Sequence, residues 1–227
     1  QGNTPIGLGK CNWIGSALNQ GNSKLYEGTA TEQQLLITGM AAGKHTLRVG
    51  LQATKGGHHA YDWLVSDAVK SGSVPDSLPL GKSNSHRASA DVGIDLNLQR
   101  CGASLGNSAK AACSALLDGA TPGNTKDIDV PDNDTFISWD GGKTDEKIAK
   151  YELLYGNRTV RLYTNGTTIT GTTMTVEHRS GKSSGSILAN GGDSTDSYIW
   201  YTITWTGDGT NAMLAAGADI ALGGDGT

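Results

Sequence analysis

From Ser197 to Trp205 the chain sets Ile199, Tyr201, Ile203 and Trp205 at every second position. A β-strand sends successive side chains to opposite faces, so this spacing puts four large apolar groups on one side of a sheet. Tyr198, Trp200, Thr202 and Thr204 fall on the other side, which is therefore partly apolar as well. That predicts cover on both faces: the core on one, and a loop, a glycan or another subunit on the other. The same period recurs at Leu47, Val49 and Leu51, at Val92, Ile94, Leu96 and Leu98, and at Val160 and Leu162. A Thr-rich run over 167–178 suits a pleated surface. Weaker strands are expected at 34–38, 135–139, 148–155 and 212–222. With Gly, Asn and Asp clusters between the runs, the pattern predicts an all-β fold, an antiparallel β-sandwich of immunoglobulin-like or jelly-roll-like form.

Two segments depart from alternation. The Ala-rich stretch 108–117 predicts a short helix that carries Cys113. Ala60, Leu64 and Ala68 recur at four-residue spacing, which predicts a second helix over 59–69. Pro and Ser enrichment over 71–89 reads as a long surface loop. No linker divides the 227 residues, so 11–227 is read as one domain preceded by an extension over 1–10.

The net charge of −4 provides no basic excess for tracking phosphates, which argues against a nucleic-acid binder. No apolar run reaches the length of a membrane span. The 33 glycines follow no three-residue period, so the chain is not collagen-like. Five Trp and seven Tyr are too many for a disordered tail. The first residue is Gln1, the start expected of a processed secreted protein and equally of an expression fragment. Three Asn-x-Thr triplets, at Asn133, Asn157 and Asn165, are glycosylation acceptors of the kind found on secreted proteins. Cys101 and Cys113 bracket a small-residue stretch, and a disulfide between them would contribute about 3 kcal/mol by closing that loop. Cys11 is then a buried thiol, the true partner of one of the others, or a bridge to another chain.

Few residue patterns suggest chemistry. Asp127, Asp129, Asp132 and Asp134 crowd a short segment, as calcium prefers, but without the spacing or glycine of a helix–loop–helix calcium site. A solvated acidic turn is the preferred reading over a calcium site, and the same caution applies to Asp193, Asp196, Asp208 and Asp219. His58 and His59 follow Gly56 and Gly57. With no third histidine nearby they read as neighbours of a tight turn held by side-chain hydrogen bonds rather than as metal ligands. No nucleophile elbow or phosphate loop of correct spacing is present, so no catalytic residue is expected.

Three runs carry a family resemblance: WIGSALNQGNSKLYEG over 13–28, AGKHTLRV over 42–49 and ATKGGHHAYDWL over 53–64. They resemble a family of secreted bacterial β-proteins described as prealbumin-like or uncharacterised. Its members carry a DTTKGGKHAYDY-like motif, a Cys-containing segment, an IPxD-like turn and a C-terminal LAWGGHIA-like strand. The counterparts here are 52–63, 101–113, 128–132 and 214–221. Gln52 stands where the family has an acidic residue, and LAAGADIA lacks the tryptophan. The resemblance implies an extracellular β-sandwich and brings no activity or catalytic residues.

The expected function is that of a structural subunit of an extracellular, pilus-like filament, a homopolymer assembled head to tail by strand complementation. Two terminal segments are candidate donors: 1–10, with apolar Pro5, Ile6 and Leu8, and 212–222, with Met213, Leu214, Ile220 and Leu222. The alternative is a carbohydrate-binding or adhesin-type surface module that uses Trp63 and Trp139, with calcium at the acidic segment.

Overall fold

The computed structural model describes residues 30–56, 58–66, 101, 106–134, 148–149, 152–153, 156–181, 185–188 and 196–220. Expectations for 1–10 (Pro5, Ile6 and Leu8 included), Cys11, the loop 71–89, the strands at 92–98 and 135–139, Trp139, Asp193 and Leu222 fall outside the described residues.

The described chain folds as a sandwich of two antiparallel sheets with one long helix. One sheet contains β1 (Ala30–Thr38), β4 (Tyr61–Val65), β5 (Thr125–Asp129), β6 (Thr159–Thr164) and β9 (Asn211–Ile220), in the order β1-β9-β6-β5, with β4 also on β9. The other runs β3-β2-β8-β7, from β2 (Gly43–Lys55), β3 (His58–His59), β7 (Ile169–Ser180) and β8 (Ser197–Gly207). Helix α1 (Asn107–Asp118) covers the outer face of the first sheet, where Cys113 and Leu116 pack on Tyr163, Met213 and Ala215.

The period-two reading holds best on β8. Ile199, Tyr201, Ile203 and Trp205 are all buried between the sheets, opposite Leu162, Leu214 and the small residues Ala212, Ala216 and Ala218 of β9. Leu47 pairs with Ile203, Val49 with Tyr201 and Leu51 with Ile199, so this face of β2 also turns inward. On β7 the register slips between Thr170 and Thr173; this bulge lets Ile169 and Met174 both reach the core despite their odd separation.

The outer face of β8 is only half-buried, and side chains of its own sheet supply what cover it has. Gly50 lies directly across from Trp200, and a Cβ on Gly50 would come within 2.7 Å of the indole. The ring therefore lies flat on bare backbone, with the Arg48 guanidinium 4.6 Å above its centre and Tyr198 stacked beside it. Glu177 ties Arg48 and Arg179 together along this face.

Three expectations are corrected. Residues 59–69 were expected as a helix, yet 58–59 and 61–65 are strands. Asp62, Trp63, Leu64 and Val65 are all buried, so β4 is covered on both faces and shows no alternation, while pairing with β9 overrides the four-residue spacing. Residues 148–149 and 152–153 are helical rather than extended. The acidic segment is no loop at its start: 125–129 is β5, drawn into register by β6, with Ile128 opposite Val160.

Replacing Gly50 by Val should force the indole of Trp200 off the sheet and expose it. The expected cost is about 1–3 kcal/mol in urea unfolding, with a red-shifted tryptophan emission.

Candidate functional site

The most elaborate polar cluster lies in the interior. Arg158 and Asp134 each have 0% side-chain exposure, and Arg158 Nη1 donates to both Asp134 oxygens at 2.8 and 3.0 Å. Tyr201 Oη, reaching over from the other sheet, donates to Asp134 Oδ2 at 2.8 Å, and the Leu64 amide donates to the same oxygen at 3.3 Å. The guanidinium also donates to the Leu64 and Pro131 carbonyls. Burial pushes the Asp134 carboxyl up, against the pull of Arg158, Tyr201 and Leu64, and the net direction is upward. The cluster sits where β4 and β6 meet along one margin of β9. There the Ser66 hydroxyl donates to the Asn157 carbonyl and accepts from the Thr159 amide. It fastens four segments together and leaves no side chain of the pair open to solvent.

This arrangement disperses the four carboxylates read as a calcium candidate. Asp127 is held by Arg161 at 2.8 and 3.0 Å, Asp129 is exposed at the end of β5, Asp132 is exposed 3.6 Å from Arg158, and Asp134 is buried. Arg161 engages the first, and the interior pair with Arg158 removes the last. Among the described residues no group of three or more His, Cys, Asp or Glu is placed to hold a metal ion.

The remaining residues fall as follows. Gly56, with φ +60°, opens the β2–β3 turn, and its amide donates to Asp196, which also accepts from Lys55. His58 pairs with Lys55 and His59 with Thr54 through the backbone, in a hairpin. Cys101 and Cys113 are joined by a disulfide that anchors α1. Asn133 and Asn157 are exposed on neighbouring turns, whereas the Asn165 side chain is engaged, donating to Thr210 Oγ1 and accepting from the Asn211 amide. Trp63 is buried beside Val65 and Ile148, so it offers no platform for a sugar. Asp219 is buried. The Thr167 hydroxyl and the Thr168 and Thr167 amides donate to Asp208, holding its carboxyl down at about 2.

The expectation that 212–222 is free for exchange is also corrected. β9 is the central strand of its sheet, paired with β1 along one margin and with β6 and β4 along the other. Met213 and Leu214 are buried, and Ile220 pairs with Tyr61. Small residues from Ala215 to Ala218 let this strand lie beneath α1 on one face and β8 on the other.

One surface stands out against this interior. β5 and β7 face each other at one side of the sandwich, and β1 and β2 border the other, joined by the turn 39–42. Leu35 and Ile37 pair with Leu214 and Ala212 and so point between the sheets, as do Leu47, Val49 and Leu51. Yet Leu35 is 40% exposed and Val49 38%, while Ile37, Met40, Leu47 and Leu51 are only partly buried. Among the described residues, no strand pairs with the outer margin of β1, and on β2 only Thr54 and Lys55 are covered, by β3. Inward-facing apolar side chains are thus left partly exposed beside a stretch of β2, Gly43–Gln52, that no described strand pairs on its outer margin.

No protein-family model, curated protein or solved structure matches the chain.

Removing one partner of the interior pair strands the other. Arg158→Met should cost about 3–5 kcal/mol in chemical denaturation. Tyr201→Phe, which deletes one hydrogen bond to the buried carboxylate, should cost about 1–3 kcal/mol. The Asp208 carboxyl titrates below its ordinary value, so the stability it contributes is present above pH ~4 and is lost as pH falls toward ~2. Asp208→Asn should flatten the dependence of the melting temperature on pH within that window.

Proposed function

We propose that the protein is a structural subunit of an extracellular filament whose copies join head to tail by strand addition. The observation that carries this reading is the apolar opening between β1 and β2. A sandwich core normally closes over its inward-facing residues; here Leu35 and Val49 reach solvent beside a stretch of β2 that no described strand pairs on its outer margin. Such a margin is a template for another strand, which would satisfy the amides and cover the apolar groups at once. A head-to-tail contact of this kind does not close on itself and propagates into a fibre. The Cys101–Cys113 bridge and the low charge fit an oxidising, extracellular setting.

The glycan-binding alternative has less support. The faces of the Trp200 indole are taken by Gly50 and Arg48, and Trp63 is buried, which leaves no exposed aromatic platform among the described residues.

Negative-stain images and sedimentation of the full chain should show long polymers. Val49→Asp and Leu35→Asp should each yield monomers. Because both side chains are already partly in water, the variants should keep the native circular-dichroism spectrum and lose little thermal stability. A chain that stays monomeric at all concentrations, with each variant indistinguishable from it, would remove the proposal.

A further inference from the structure

Resting on the reading above, we infer that the strand added at the opening is the segment 1–10 of the neighbouring copy, laid along β2 with Ile6 and Leu8 turned inward. Four observations converge on it. Among the described residues, no strand covers the outer margin of β2 from Gly43 to Gln52, and a strand of ten residues spans about 34 Å, the length of that margin. Ile6 and Leu8 stand two apart, so in an extended segment they share a face and match the period of Leu47, Val49 and Leu51. Seated beside β2, they would fill the gap toward Leu35 and Ile37 of the opposite sheet. Pro5 has no amide hydrogen, which confines the segment to a position paired on one side only, as the outermost strand of a sheet is. Gly7 and Gly9 fall on the outward face, where no side chain is needed.

The other terminal candidate fails on the same geometry. Exchanging β9 would pull Met213 and Leu214 from the core and break pairing on both its margins. Adding a strand at β2 breaks no pairing within the described residues.

Two full-length variants separate donor from acceptor. Ile6→Asp combined with Leu8→Asp disables the donor and leaves the opening intact; Val49→Asp disables the opening and leaves the donor intact. Neither should polymerise alone. Mixed in equal amounts they should form capped one-to-one dimers by sedimentation, with at least a tenfold rise in the dimer fraction over either variant by itself. If the donor variant polymerises as the unaltered chain does while Val49→Asp does not, this inference is overturned and the filament reading survives with another donor. If both variants are monomeric and the mixture gives no dimer, exchange between copies is overturned. If the unaltered chain never associates, the filament reading falls and this inference falls with it. A synthetic peptide of residues 1–10 added to the donor variant supplies an independent check. It should raise the melting temperature, and the same peptide carrying the two aspartates should not.

Discussion

A guanidinium with no contact with water must find its partners within the protein, and the described fold is organised around meeting that demand. Arg158 takes the Asp134 carboxylate, two carbonyls from separate segments and, through Asp134, the hydroxyl of Tyr201 from the opposite sheet. Each bond fixes one element relative to the others: the end of β4, the turn after β5, the start of β6 and the middle of β8. A pair of this kind adds little net stability over an apolar replacement, because desolvation offsets most of its Coulombic attraction. Removing or misplacing one partner would leave the other charge uncompensated in the interior, which ties the four segments to one another.

The two sides of the sandwich differ. Around β5, β6 and β7 the core is closed, and the acidic segment is spent on Arg158 and Arg161. Around β1 and β2 no equivalent closure exists among the described residues, and the inward row ends in half-exposed Leu35 and Val49. The outer face of the second sheet is finished differently again, with Trp200 laid over Gly50 and held down by Arg48. Among the described residues, the margin of β1 and β2 is left partly apolar. The proposed strand addition would use that margin, with backbone bonds supplying affinity and a row of pockets supplying register.

Much of the architecture was legible in the residues. Alternation on β8, β2 and β6 marked the buried faces, and the Ala-rich segment marked α1, with Cys101–Cys113 as one of the open pairings. What misled was context. β4 is buried on both faces and lost its period-two signature, and β5 has a single apolar inward residue, Ile128, so only its partner β6 identifies it as a strand. The segment 212–222 read as a spare strand because its residues are small, yet small residues are what a central strand needs beneath a helix and a second sheet. Among the site residues, the calcium candidates were chosen by crowding along the chain. The fold disperses them by engaging Asp127 with Arg161 and by pulling Asp134 inward onto Arg158.

By itself the sequence determined the class of fold, the faces of its clearest strands, the helix, and the lack of a basic excess in its net charge. These follow from side-chain period and composition, which act locally and can be read along the chain. Only the tertiary structure decided that Arg158 and Asp134 form a buried pair, that β9 lies at the centre of its sheet, and that Leu35 and Val49 face an opening. Each of those depends on which strands become neighbours, and neighbourhood is set by packing between residues far apart in the chain.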